Sequence, residues 1–494
     1  MNRTKFAVVL PLVALLAGCG GGSSPASQSA STGAPSSSQP SGEPIEVPFW
    51  TTFGQKNLEA VQTKADAFAK LIEQNTGKKV TIKPTYEGGY DEVRDKITKG
   101  FSAGNVPAMA IAYPDHVANY LASESTAGQY VYRLDDTMVD PNIGFGKQAY
   151  LGDTSGIDDY VEAFVDEGTH YMREGTYSMP LMKSSEVMFY NFDAVKAGLL
   201  TYDPEIAVSD DKIAQYVATM SWDELLRFSE HCLAHKATVL DTMKQPIWYD
   251  SDSNLFISKM FQEEIGYCSI GADGKGVIDF ESGANRTKAE AFVNDLVAAK
   301  NKGLITTKGV NNTYGSDSFK AGESIFEIGS SGGTGYTMPE GAAFTVAVAP
   351  VPASNDNPLY VSQGPTVTFL KNPGKSDAVN AERFYYAWQF YKYLTNPDNN
   401  VYLCIYGSEG YLPVRYSAYE TREFRTFLDE GEIYADTARV LIDDINGRYF
   451  NAAVFKGSAG LRDQCGGIVT GALLAKDSVT NLFDAAIANA KKGF

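Results

Sequence analysis

Apolar positions along the chain follow two periods that take turns. "IEVPFW" (45–50) reads as a strand, and Leu58, Val61, Ala65, Phe68, Leu71 and Ile72 then recur at the three- and four-residue spacing of an amphipathic helix. "KKVTIKPTY" (78–86) is a second strand, so the order is strand, helix, strand, the unit that builds parallel sheets with helical crossovers. A helix over 91–103 is expected to end at Gly104, and "PAMAIAY" gives a third strand. Further on, "EVMFYNFDAVKAGL" passes from a strand into a helix expected to stop at Gly198. "SWDELLRFSEHCLAHKA" opens a helix with Ser221 as N-cap and Glu224 three residues later, a capping box. "AEAFVNDLVAAKNKG" is helical, "ESIFEIG", "FTVAVAPVP" and "TVTFL" are strands, and "AERFYYAWQFYKYLTNP" and "SVTNLFDAAIANAKKGF" are helices. The class is α/β.

The first 43 residues break the pattern. Arg3 and Lys5 precede an apolar run, Phe6 to Leu16, and a small-residue site, "LAGC", which together read as a secretory signal peptide over 1–18. The site is similar to a bacterial lipobox, which implies cleavage before Cys19, lipidation of that cysteine and a membrane anchor outside the cytoplasm. "GGGSSPASQSASTGAPSSSQPSGEP" has almost no apolar residues to offset its ordering entropy, so 19–43 reads as the lipidated cysteine and a flexible tether. The remaining stretch of about 450 residues is too long for one core and suggests two or three domains. A net charge of −18 argues against nucleic acid as partner but leaves room for a local basic site. Besides Cys19 there are four cysteines, an even number that permits two disulfides in an oxidising compartment; Cys232–Cys268 and Cys404–Cys465 are the preferred pairs, against four buried thiols.

"GSSGG" (329–333) fits the G-x-S-x-G pattern of a hydrolase nucleophile, Ser331. Such a serine needs a helix after it and a histidine later in the chain, whereas "TGYTMPEGAA" starts a helix poorly and His116, His170, His231 and His235 all lie upstream. His231 and His235 sit one helical turn apart, but "HCLAH" has no glutamate and makes no H-E-x-x-H zinc site. "DSDSN" (250–254) opens like a calcium loop without its later glycine and glutamate, and reads as a solvated loop. No catalytic constellation and no metal or cofactor site emerges. A lipid-anchored hydrolase acting on a sugar or phosphoester is the alternative function, and would require paired carboxylates at a distance that sequence does not give.

Six segments stand in a telling order: "PFW" at the first strand; "GYDEVRDKITKGFSAGNVPAMAIAY"; "MPLMKSSEVMFYNFDAVKAGL"; "SWDEL"; "FKAGESIFEIGSSG"; and "GYLPVR". From about Ile45 to about Thr470 this set resembles the extracellular solute-binding proteins of ABC importers that take sugars and polyols. The resemblance implies a two-lobed periplasmic-binding-protein-like α/β fold, each lobe a mostly parallel sheet flanked by helices, with the ligand cleft at the hinge. It implies lobes of 44–188 with 356–410 and of 189–355 with 411–494. It also implies a monomer that needs no cofactor, captures a small solute and hands it to a membrane permease without chemistry.

Within that family the likeness is strongest to glycerol-3-phosphate-binding members, through "TYEGGY", "KSSEV", "GSSGG", "QG" before "PTVTFL", "GYLP" and "GLR". Position by position this implies Tyr90, Ser184, Ser331, Gly364, Tyr411 and Arg462 around the ligand, with Ser185, Ser330 and Gln363 one step away. Serine hydroxyls and backbone N–H groups can donate to phosphate oxygens, and Arg462 can donate two hydrogen bonds while supplying charge. Trp248 and Tyr249 offer further flat faces. Where those binders place a ligand-holding glutamate, this chain has Pro114, with Asp115 one step later, and Gln363 replaces the first glycine of their pair. A sugar, a phosphodiester and a polyol phosphate all stay open.

Overall fold

The computed structural model describes residues 44–494 apart from 355–358, 408–409, 431, 444 and 446. The expected signal peptide, tether and lipidated Cys19 lie outside the described residues. The strands in chain order are β1 Ile45–Thr51, β2 Val80–Tyr86, β3 Met109–Ala112, β4 Met179–Pro180, β5 Glu186–Asn191, β6 Ile247–Tyr249, β7 Cys268–Ile270, β8 Gly276–Ile278, β9 Ile305–Thr307, β10 Phe326–Ser330, β11 Val346–Ala349, β12 Tyr360–Val361, β13 Thr366–Phe369 and β14 Tyr449–Phe450.

Two five-stranded sheets organise the chain, in the orders β2-β1-β3-β13-β4 and β11-β5-β10-β6-β9. In the first, β1, β2 and β3 run parallel and β13 returns antiparallel beside β3. In the second, β10, β6 and β9 are parallel, and β5 runs antiparallel to β10 and β11. The first sheet packs in one apolar cluster, which also takes Val187 and Phe189 from β5, and the second sheet turns Met188, Tyr190 and its other strands into another. The helix Gln55–Thr76 buries Val61, Ala65, Phe68 and Ile72 of the predicted stripe, with Phe68 against Phe390 of the helix Asp377–Leu394 at 5.2 Å between ring centres. The helix Tyr90–Ala103 stops as expected at Gly104, whose φ of 65° is left-handed and suits glycine.

Three local expectations are corrected. Gly198 does not end its helix, which runs Phe192–Tyr202; the glycine sits inside it because a Cβ there would stand 2.7 Å from the Cys232 sulfur and 3.0 Å from Phe228. "DSDSN" is no solvated loop: Ser251 caps the helix Asp252–Gln262 by accepting from the Asn254 N–H. Asp252 is buried there, accepting from the Thr307 hydroxyl at 2.7 Å, the Gly309 N–H at 2.9 Å and the Thr470 hydroxyl at 2.9 Å. The four cysteines are free thiols. Neither preferred pair can form, because Cys404 belongs to the first sheet's cluster and Cys465 to the second's, while Cys232 packs on Gly198 and the Cys268 thiol points to the Ala453 carbonyl.

The capping box is realised by half. The Ser221 hydroxyl accepts from the Glu224 N–H at 3.2 Å, but the Glu224 carboxylate turns to the Tyr202 and Tyr216 hydroxyls and to Arg227.

Candidate ligand-binding cleft

Open α/β sheets place ligands just beyond the carboxyl ends of their strands. Here those ends converge. Tyr113, Pro114 and Asp115 follow β3; Asp250 and Ser251 follow β6; Lys308 follows β9; and Ser330 closes β10. Glu186 opens β5, which runs antiparallel to β10 and so brings its first residue to the same edge, opposite Ser330. All of them line one cavity of about 380 Å³, together with Gln363 and with Arg462 from the first turns of the helix Ser458–Leu473.

Charged and polar side chains meet in the cavity among apolar ones. The Arg462 guanidinium donates to the Asn254 side-chain oxygen. Asn254 in turn donates to one Glu186 oxygen at 2.9 Å, and the Tyr249 hydroxyl donates to the other at 2.5 Å. Burial pushes the Glu186 carboxyl up to about 7, against these bonds and the charge of Arg462. The Lys308 ammonium stands 3.7 Å from the centre of the Tyr314 ring. On the opposite side one Asp115 oxygen is buried with no hydrogen-bond partner, and Tyr113 stacks on Tyr90 with ring centres 3.9 Å apart and planes 12° apart. Burial raises the proton affinity of both phenols. At the chain crossing beside Ser184, Lys183 and Glu167 form a buried ion pair.

A second chamber of about 520 Å³ shares Asp250, Tyr314 and Ser330 with the first and adds Glu327, Tyr336 and Tyr411. Of the residues expected around a ligand, Asp115, Ser330, Gln363 and Arg462 line the first chamber and Tyr411 the second. Tyr90 stands one layer back, behind Tyr113.

Five others are packed into the wall. Ser331 is fully buried: its N–H donates to the Ser185 carbonyl at 2.8 Å, and its hydroxyl accepts from the Ser185 N–H at 3.4 Å. The Ser185 hydroxyl donates to the Val361 carbonyl, and Ser184 pairs through its backbone with Gln363. These serines join chain segments where the reading from sequence had Ser331 facing the cleft. Trp248 is buried beneath Gly315. Gly364 has φ 108°, and a Cβ there would meet the Met182 carbonyl at 2.5 Å.

Glu186, Asp250, Asn254, Lys308, Tyr113, Tyr314 and Glu327 escaped the reading of the sequence. Asp250 and Lys308 did carry a signal, since each is the first residue after a short apolar strand at the sheet edge that holds the site. His231 bonds to the Thr201 hydroxyl and His235 to the His231 carbonyl. Among the described residues no group of three or more histidine, cysteine or acidic side chains is placed to hold a metal, and no helix is long and apolar enough to cross a membrane.

The family pattern of bacterial extracellular solute-binding proteins matches residues 65–427. The chain belongs to that family. Its curated relatives include the sn-glycerol-3-phosphate-binding periplasmic protein UgpB of Pectobacterium atrosepticum, 30% identical over 161 residues, which is 32% of this chain and 31% of that one. UgpB of Escherichia coli K12 is 28% identical over 160 residues, with 32% and 31% covered. The chain spans about a third of the length of the curated relatives it matches. Among solved structures, UgpB from Mycobacterium tuberculosis in complex with glycerophosphocholine superposes with a TM-score of 0.65 at 19% identity, over 92% of this chain and 98% of that one. The cyclic alpha-maltosyl-1,6-maltose binding protein from Arthrobacter globiformis superposes at 0.63 and 17%, over 91% and 99%. At these identities the likeness shows the fold, the two-lobed architecture of periplasmic solute-binding proteins.

Proposed function

We propose that this solute-binding protein captures a small polar solute of the polyol-phosphate, phosphodiester or sugar class outside the cytoplasm and delivers it to an ABC permease, held at the membrane by a lipid on Cys19. It acts by binding alone, as a monomer. The observation that carries this reading is the cavity beyond β3 of one sheet and β6, β9 and β10 of the other, where Arg462 and Lys308 face Asp115 and Gln363. Both cations can donate to phosphate oxygens, Arg462 with two N–H groups at once. The glycerol-3-phosphate-binding relatives favour the same class. The lobes expected from the sequence, 44–188 with 356–410 and 189–355 with 411–494, are proposed with one change, the first crossing at about 181–186, since Glu186 already pairs with Ser330 of the second sheet. A solute touching both rims favours the closed arrangement by the contacts it makes to each.

A thermal-shift screen against glycerol 3-phosphate, its phosphodiesters and a sugar panel tests the reading, because a ligand bound only by the folded state raises the melting temperature. A shift with a phosphorylated solute that is lost in Arg462→Ala supports it. A shift with a neutral sugar and none with any phosphorylated compound overturns the phosphate assignment, and no shift with any of them overturns the binding function.

A further inference from the structure

One carboxyl of the first chamber is held by the same run of hydrogen bonds that holds the chamber's guanidinium. Glu186 is buried at the start of β5, opposite Ser330, and lines the cavity together with Arg462. Asn254 joins the two: its side-chain oxygen accepts from the Arg462 guanidinium, and its nitrogen donates to one Glu186 oxygen at 2.9 Å. The other Glu186 oxygen accepts from the Tyr249 hydroxyl at 2.5 Å. The charge on Glu186 is therefore felt at the group that would receive an anion.

This run of bonds suits two protonation states with its heavy atoms in place. Asn254 donates to its oxygen in either. A proton on the other oxygen reverses the second bond, so that Glu186 donates to Tyr249 and the Tyr249 hydroxyl turns to its other neighbour, the Ser258 hydroxyl. Burial brings the change within reach, raising the Glu186 carboxyl to about 7 against the bonds from Tyr249 and Asn254 and the charge of Arg462. The remaining charged groups facing it are Asp250 after β6, which raises it further, and Glu327 on β10, which Glu186 raises in turn. On its other side β11 brings only valine and alanine.

Of the other carboxyls lining this chamber, Glu167 is paired with Lys183, and Asp250 accepts from the Gly315 N–H at 2.5 Å. An ionised Glu186 competes with an incoming anion for Arg462 and repels it across the same cavity; a protonated Glu186 does neither. The effect is reciprocal. An anion against Arg462 offsets the charge that favours ionised Glu186 and adds one that opposes it, so the proton affinity of Glu186 rises in the complex. A neutral solute alters neither charge.

We propose that Glu186 is a positioning residue that sets specificity: acting through Asn254 on Arg462, it makes the capture of an anionic solute proton-linked, so that up to one proton enters with an anion and none with a neutral sugar. This role rests on the proposed capture of an anionic solute and adds its regulation. Affinity for the anion is full below about pH 7 and falls as pH rises past it, because the free protein must first regain a proton.

The test is calorimetric titration of the whole chain between about pH 6 and about pH 8.5, in buffers of differing ionisation enthalpy. The probes are sn-glycero-3-phosphoglycerol, a phosphodiester that does not itself titrate in that range, and maltose. The phosphodiester is expected to bind about tenfold more weakly at the upper pH than at the lower and to take up a proton above pH 7, whereas any maltose binding shows neither. Glu186→Gln is expected to hold the affinity at every pH near the native value at pH 6 and to abolish the uptake. A residue that merely filled the wall would instead lower affinity at every pH when replaced. Tyr249→Phe, which removes a bond to the ionised carboxylate, is expected to move the fall to higher pH, and serves should the first variant fold poorly. A flat profile for the native chain overturns the role, as does a fall that survives in Glu186→Gln, and in both cases the bound phosphodiester leaves the proposed function standing. Binding of maltose without the phosphodiester overturns the phosphate assignment and this role with it. Failure of both probes overturns the binding function itself.

Discussion

The two rims of the cleft are made of different materials. After β3, the first sheet offers the stacked pair Tyr90 and Tyr113 and one carboxylate, Asp115. After β6, β9 and β10, the second sheet offers charge: Glu186, Asp250, Lys308 and, from a helix that packs behind them, Arg462. Flat faces tolerate many solutes, whereas a fixed set of buried charges discriminates, because a charge left without its partner in a low-dielectric site is costly. The second rim therefore sets the ligand's charge, and the first sets how its body is held.

The largest expected effect tests whether the rims need their rigid junction. Gly364→Ala combines a left-handed backbone with a Cβ pressed on the Met182 carbonyl, and is expected to lose about 4 kcal/mol of stability in denaturant titration. Next, Arg462→Ala is expected to weaken a phosphorylated solute by about 100-fold, or about 3 kcal/mol, while leaving a neutral sugar unchanged. Equal weakening of both would erase the distinction drawn between the rims.

Glu186 separates them by pH. Its folded carboxyl keeps its proton up to about 7, against an ordinary 4.5, so the group favours the folded state below its ordinary value and that contribution is lost as pH rises toward 7. Glu186→Gln should therefore be more stable than the native chain at pH 8, by on the order of 2–3 kcal/mol, with the gap closing by pH 4. A variant less stable at pH 8 would mean that the bonds from Tyr249 and Asn254 need the ionised group. On the other rim, Tyr113→Leu removes one stacked pair and should lower stability by about 1 kcal/mol, independent of pH between 5 and 8. The smallest effect is none: with four free thiols, reductant should leave the melting temperature where it was, and a fall would show a disulfide.

Much of the fold was legible in the sequence because it rests on local periodicity. The alternation of periods two and 3.6 marked β1, β2, β3 and the helices between them, and Gly104 and Ser221 marked two helix ends. Gly198 misled because a glycine that stops a helix and one that lets a neighbouring helix approach read alike. "DSDSN" misled because Asp252 is solvated or buried according to partners about 55 and 218 residues away, Thr307 and Thr470.

The candidate site divides the same way. Asp115, Ser330, Gln363, Tyr411 and Arg462 were legible as motif positions, and the structure brings them to the cavities. Ser331 shares a motif with Ser330 yet is turned into the wall, since successive residues at a strand end point to opposite sides. Glu186 and Glu327 were invisible because an acidic residue in sequence carries no sign of burial.

By itself the sequence determined the α/β class, the order of elements and the family, all properties of patterns that the chain carries locally and in series. Only the tertiary structure decided which strand ends meet, which serine faces the cavity and which of the 60 acidic residues are buried beside one another. Those depend on contacts between residues tens to hundreds of positions apart, and burial, which sets both a carboxyl's charge and what it can bind, exists only once those contacts are made.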